Sequence, residues 1–541
     1  RNLRDSQRSP FSQNIRFRGM SFSIEVRFCL KFPMLKSNQR IKFRSLFLVL
    51  GILLSFAPMQ VEAEENKESV NFSSQVRIKS YQQDYDWLNP WNKKDVVPRS
   101  GVGSVIRVGE KQWMLLTSAD LVSNATLIEA KRTKTSLPSR VYLKQIDHAL
   151  NLALLESDDA SFFDEMKGLE WGNPEKGQAE LPDLSSGRIE LMQGEITGLT
   201  VGHRQVRDAW LPILQLSLKK IPPQGSIVLQ KQKAVGMVLN GSQGNYNVLP
   251  KQLINKFLSQ TAGPDHERFS HRGFQWQFFA QPSLAEYSKI PENREGIWIS
   301  RVLPYGTGSE VLQAGDYLTR IGDWQLNREG QIEHSKWGNV LFDVLFLEDL
   351  DAGDEVELGV YRGGQSLNLK SKVGAYRQNG HRVPMKIFGK PPRYLIRGGM
   401  IFQELTLNYL EVWGQNWENR APLRLRLFKQ LDLTRTKNVS QNTPAKHPSR
   451  ERIVILSQVL PDVVNIGYQE LRNMVVKKVN GKKVVNLESM VEALQNPQTD
   501  FHRIEFLPGS ERVQIVLPVQ ELVSADERIM KNFQIPRLQS L

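Results

Sequence analysis

In its commonest arrangement a hydroxyl nucleophile works beside an imidazole that takes its proton and a carboxylate that fixes the imidazole. Between about Val76 and Leu258 the chain offers two histidines, His148 and His203, and neither is placed for that work. His148 stands three residues ahead of Asn151 in a polar stretch, and His203 follows Gly202, so both read as surface histidines in loops. Ser226 ends the run Ile221-Pro222-Pro223-Gln224-Gly225-Ser226 and would need a histidine and a carboxylate brought to it from elsewhere in the fold. Metal chemistry has no better footing. Asp120 with Asp147 or His148 lacks the spacing of a His-x-x-x-His pair. Asp349-Leu350-Asp351-Ala352-Gly353-Asp354 lacks the ligand spacing and closing Glu of a calcium loop and reads as a turn ahead of a strand. No metal site and no cofactor is expected.

The elements that must position these residues are mostly strands. Short apolar runs at Gly103–Val108, Trp113–Thr117, Leu152–Leu155, Leu214–Leu218 and Ala234–Leu239 recur with turn residues between them, the pattern of a β-barrel or sandwich. Leu249–Leu258 reads as a helix that closes this domain, and polar Ser259–Arg272 as a linker. Two units of similar grammar follow. The first has strands at Gly296–Val302, about Leu312–Leu318 and Glu355–Val360; the second has strands at Ile453–Val459 and Val475–Val484, with Asn480-Gly481 at a tight hairpin. Thr434–Arg452, polar and basic with Pro444 and Pro448, reads as a surface loop.

Of the 541 residues, 71 are Lys or Arg and 57 Asp or Glu, a net charge of +14 that invites a nucleic-acid reading. The distribution argues against it: residues 1–63 carry eleven Lys and Arg against Asp5, Glu25 and Glu62, so more than half of the excess sits there. No basic tract interleaved with aromatics follows, and no nucleic-acid partner is expected. From Met34 the order is basic (Lys36, Arg40, Lys42, Arg44), apolar (Leu46–Ala57), then Val61-Glu62-Ala63 before Glu64, the plan of a secretory signal peptide at 34–63. The apolar run is too short to span a bilayer, so membrane association is expected only through an uncleaved signal segment. Residues 1–33 read as upstream translation, with Met34 or Met20 as initiator, which leaves the single cysteine, Cys29, outside the mature chain. The expected location is periplasmic or secreted.

Four stretches carry a family likeness: Leu116-Thr117-Ser118-Ala119, Leu152-Ala153-Leu154-Leu155, Lys390-Pro391-Pro392-Arg393-Tyr394, and Ser457-Gln458-Val459-Leu460 running on to Asn465-Ile466-Gly467-Tyr468. On these the chain resembles the HtrA/Deg serine proteases, in the two-PDZ form common in plants, over roughly Val76 to Val516. The resemblance implies a mainly β architecture: a trypsin-like double β-barrel at 76–260, two PDZ-like α+β modules at 268–375 and 385–520, and a C-terminal tail at 521–541. It also places the catalytic histidine at Asp120, the aspartate at Asn151, and the serine at Gln224, or at Pro223 if the loop carries no deletion. Asp120 is too weak a base for a serine hydroxyl, and Pro222 and Pro223 remove backbone donors that an oxyanion hole needs.

PDZ modules bind an extended peptide by strand addition, with backbone N–H groups holding its carboxylate. By resemblance the peptide-binding residues are Arg272, Gly273, Phe274 and Gln275 in the first module and Gly399, Met400, Ile401 and Phe402 in the second. Gly273 lets the backbone approach the ligand, and Arg272 adds charge. The resemblance further implies a homo-oligomer, trimer or hexamer, with Trp87 and Trp91 either at its contacts or packed on their own barrel. The expectation is an exported, catalytically inactive relative that binds peptides or unfolded exported proteins as scaffold, chaperone-like factor or regulator. Its rivals are an active serine endopeptidase with relocated residues and an assembly protein whose PDZ modules serve only oligomer contacts.

Overall fold

In the computed structural model, the described residues are 74–541 except 110–111, 133–136, 184–189, 205–208, 260–269, 279–280, 292, 304–305, 376–381, 415, 431–450 and 511. The upstream segment, the signal-like segment, most of the linker and nearly all of the Thr434–Arg452 loop lie outside them.

Strand periodicity explains the first half. In Gln112–Ser118 and Leu152–Ser157 successive side chains point to opposite faces. Leu115, Ala153 and Leu155 turn into one core with Val76, Ile78, Val105 and Val141, while Met114, Leu116, Leu152 and Leu154 turn into another with Ile213, Ile227, Met237 and Leu249. An unbroken apolar run is what a strand buried on both faces requires. The first core fills a closed barrel of six strands, and the second lies between that barrel and a second closed six-stranded barrel. The helix Lys251–Ser259 seals the seam with Leu253, Ile254 and Phe257. The expected double barrel is present, and its two halves meet where the chemistry was sought.

The first module is an antiparallel sheet with Phe274–Gln277 at one end, then Ile297–Val302, Tyr317–Ile321, Glu355–Arg362 and Gln365–Lys372. Its core, built on Phe274, Phe342, Leu318 and Leu358, also receives Leu199 and Val201 from the second barrel. The second module has an eight-stranded sheet. Asn480 and Gly481 both adopt left-handed φ, 49° and 79°, at the expected hairpin between Met474–Val479 and Lys482–Lys483.

The 521–541 segment corrects an expectation. It is part of the second module: Leu522, Ala525 and Ile529 of the helix Leu522–Asn532 are fully buried in that module's core, and Gln539–Ser540 pairs with Tyr394–Arg397. The partner of Gln539–Ser540 lies more than a hundred residues earlier, out of reach of local pattern.

The tryptophans correct another. Trp87 is buried among Val383, Met385, Leu405, Tyr409 and Trp417 of the second module, and Trp91 meets Tyr394 edge-on at 6.3 Å. Gln403 Nε2 donates to Trp87 O at 3.2 Å, and Gln458 Nε2 to Leu88 O at 3.1 Å. These indoles serve a contact within the chain, between the first barrel's loop and the second module.

Candidate functional site

Asp120 and Asn151 come together at the barrel seam. Asp120 is the second residue of the one-turn helix Ala119–Val122, and its backbone N–H donates to Asn151 Oδ1 at 2.8 Å. Ser118 Oγ donates to the same oxygen at 3.1 Å, and Asn151 Nδ2 donates to Leu239 O at 3.3 Å. Asn151 is buried with φ of 58°, a conformation asparagine tolerates better than most residues. Its amide thus ties the helix start to the second barrel, using the donor capacity that an aspartate lacks.

The 221–226 loop reaches the same seam through its backbone. Val102 N–H donates to Gln224 O at 2.8 Å. A Cβ on Gly225, whose φ is 84°, would lie 2.3 Å from Val102 O and 2.8 Å from Thr117 Oγ1, so the loop fits only with glycine there. Ser226 is buried, and its hydroxyl donates to Pro223 O at 2.7 Å. Gln224 itself is exposed.

His148 is not the surface loop residue that its polar neighbours suggest. It is buried, stacks on Phe388 with ring centroids 3.6 Å apart, and has Nδ1 3.4 Å from Ser123 Oγ. Phe388 belongs to the segment leading into the second module, and Gly389 N–H donates to Asn124 Oδ1 at 2.6 Å beside it. The aromatic partner lies 240 positions away, out of reach of any local pattern. His203 falls in the strand Glu190–Arg204 and not in a loop.

In the first module the expected residues lie where strand addition would occur. Phe274–Gln277 has Ile297–Val302 as its strand partner and ends the sheet. A cleft of roughly 410 Å3 along it is lined by Arg272, Gln275, Trp276, Gln277, Ser300, Leu341 and Asp343. Arg272 Nε donates to Phe274 O at 3.0 Å, and its Nη1 pairs with the buried Asp343 carboxylate. Phe274 is fully buried against Phe342 and lines no groove. Gly273, φ 75°, is demanded by its own chain: a Cβ there would sit 2.4 Å from the Gly306 backbone.

The second module departs from the expectation. Met400, Ile401 and Phe402 are fully buried in an interior strand, flanked by Tyr394–Arg397 on one side and Val454–Val459 on the other. The tight turn at Gly398-Gly399 brings the preceding strand back onto the edge where a peptide would add. The turn's donors are also taken: Gly398 N–H and Arg397 Nη1 each give 2.7 Å hydrogen bonds to the buried Asp526 carboxylate. Burial holds that carboxyl above the usual range against the pull of those partners.

Residues 383–541 match the family description "PDZ domain". Protease Do-like 2, chloroplastic, of Arabidopsis thaliana is 26% identical over 83% of this chain and 72% of its own length. Protease Do-like 4, mitochondrial, of the same plant is 23% identical over 88% and 87%. The relatives it resembles over most of its length are thus HtrA/Deg proteases. Among solved structures, the HtrA-type protease AlgW with tripeptide matches 57% of this chain and 96% of its own at 15% identity, with a TM-score of 0.44. Among the described residues, no group of three or more His, Cys, Asp or Glu is arranged to hold a metal ion, and no helix is long and apolar enough to cross a membrane.

Proposed function

We propose that this HtrA/Deg chain is non-proteolytic and binds extended or C-terminal peptides through its first PDZ module, as a scaffold, chaperone-like factor or regulator of active relatives. The observation that carries the reading is the seam itself. The positions that the resemblance assigns to the triad carry an acid, an amide and an exposed glutamine, or Pro223 if the loop has no deletion, in place of imidazole, carboxylate and hydroxyl. Such a set has no group to attack a carbonyl and none to relay a proton. Purified protein should neither cleave unfolded casein nor label with a fluorophosphonate between about pH 6 and 9, where a catalytic histidine would be free to act.

One contact favours a second reading, a relocated Ser–His site at Ser123 and His148. Against it, Ser123 Oγ donates to Ala119 O at 2.6 Å, both residues are buried, and Phe388 covers the imidazole face. A fluorophosphonate adduct at Ser123 would establish this site, and an adduct at either Ser123 or Ser226 would remove the non-proteolytic reading.

Export through the 34–63 segment is part of the same proposal, with Glu64 as the mature N-terminus. The relatives' names, chloroplastic and mitochondrial, supply the competing address, an organelle. Mass-spectrometric reading of the N-terminus from native material decides between them.

A further inference from the structure

We infer that Asp343 is an internal stand-in for a ligand carboxylate, so that the carboxylate position of the first module's cleft is self-occupied and is freed when a peptide's C-terminal carboxylate replaces Asp343 on Arg272. The inference rests on the proposed peptide role of that module and adds how it is gated.

The two modules carry the same local arrangement in two states of completion. Each has an Arg-Gly pair just ahead of the strand in question, Arg272-Gly273 before Phe274 and Arg397-Gly398 in the turn before Met400, and each arginine is met by a carboxylate from its own module. In the second module the mimicry is complete. Asp526 accepts from both the guanidinium and the Gly398 N–H, as a bound carboxylate would, and the strand edge is covered by Tyr394–Arg397 and then by Gln539–Ser540. In the first module it is partial. Asp343 engages the guanidinium, Gly273 N–H is satisfied by His271 Nδ1 at 3.1 Å, and Phe274–Gln277 keeps an edge with no further strand among the described residues.

The first module is therefore the one that can exchange. A guanidinium offers planar paired donors, and a peptide carboxylate can take over what Asp343 leaves at equal charge. The Arg272 side chain keeps 18% of its area in contact with solvent, and the cleft beside it runs from Asp343 to Gln277 along the open edge. The exchange sets ligand class as well as gating. A free C-terminal carboxylate can displace Asp343 at equal charge, whereas an amidated end offers only a neutral carbonyl acceptor and leaves Asp343 on the guanidinium.

The test uses full-length mature protein and two fluorescent octapeptide libraries ending in Leu, Ile, Val or Phe, one with free and one with amidated C-termini. Wild type should bind the free-acid library and discriminate against the amides. Asp343→Asn removes the competitor and should tighten binding of the free acids about tenfold, the scale of one charge-assisted hydrogen bond. Arg272→Gln should abolish the preference for free acid over amide, and Asp343→Asn added to it should change nothing further. Thermal unfolding checks that each variant is folded, and the Arg272→Gln arm stands even if Asp343→Asn is not. Wild-type binding that Asp343→Asn leaves unchanged, or a free-acid preference that survives Arg272→Gln, overturns the exchange while leaving peptide binding in place. Binding of neither library by any variant removes the peptide role itself, and the exchange with it.

Discussion

Restoring the three triad residues should not restore a protease. In Asp120→His, Asn151→Asp, Gln224→Ser the new groups would occupy a seam built for the present ones. Asn151→Asp turns a 3.3 Å donor to Leu239 O into a carboxylate oxygen facing a carbonyl, at a buried site. Leaving such a group without its partner costs about 1–3 kcal/mol, more when it is charged, so the melting temperature should fall. The loop is the larger obstacle. Pro222 and Pro223 have no N–H, Pro223 O is taken by Ser226, and Gly225 is pressed against Val102 and Thr117. Loss of one oxyanion donor costs about 10²–10³ in rate, and misplacement of the nucleophile by an ångström about 10² more. The variant should thus run roughly 10⁴-fold or more below a working triad, indistinguishable from blank in a fluorescent casein assay. Stoichiometric fluorophosphonate labelling at position 224 would refute this, because it requires the loop to take up a protease shape that these contacts forbid.

Trp87→Ala should cost about 3–5 kcal/mol, the range for a buried tryptophan, and it should raise hydrogen exchange in both residues 84–95 and the second module; exchange confined to the barrel would contradict the intramolecular clamp. Phe388→Ala should expose His148, read as new reactivity of that imidazole toward diethyl pyrocarbonate, whereas unchanged protection would mean other groups bury it. Burial lowers the His502 pKa below its usual 6.5. The unfolded chain then takes up the proton first, so stability should fall as pH drops from about 6.5 toward the folded value. In His502→Gln this acid limb of a melting-temperature profile should flatten, and a profile identical to wild type would assign the sensitivity to other groups.

What was legible in the sequence was what short-range pattern encodes. Runs such as Leu152–Leu155 mark strands buried on both faces, Asn480-Gly481 marks a hairpin, and the prolines of the 221–226 loop mark two positions without an N–H. What escaped was set by partners far along the chain. His148 looks solvated until Phe388 lies on it, and Trp87 and Trp91 look like barrel or oligomer residues until the second module closes over them. Gly273 and Gly399 both read as loops awaiting a ligand. One is needed because Gly306 passes 2.4 Å from where its Cβ would be, and the other because Leu460 O lies 2.3 Å away. A glycine reports that something approaches closely, not whether it is a peptide or the protein's own backbone.

That ambiguity makes Asp526 the informative residue of the second module. If the module were a peptide site held shut by its internal carboxylate, Asp526→Ala would vacate the Arg397 and Gly398 donors and a peptide could take them. The strand order argues otherwise. An added strand needs an edge, and beside Met400–Glu404 both edges are used, with the next one outward paired to Gln539–Ser540. Asp526→Ala should therefore leave Gly398 N–H and the guanidinium wanting a partner and destabilise the chain by about 1.5–3 kcal/mol, the scale of a hydrogen bond to a charged group. Arg397 is partly solvated, so the lower end is expected. No peptide should rescue the loss. Titrating the free-acid library during thermal unfolding separates the cases: a ligand-dependent rise in melting temperature in Asp526→Ala but not in Asp526→Ala, Arg397→Gln would show a competent second groove, whereas a constant loss at all peptide concentrations marks a PDZ fold committed to holding the first barrel through Trp87.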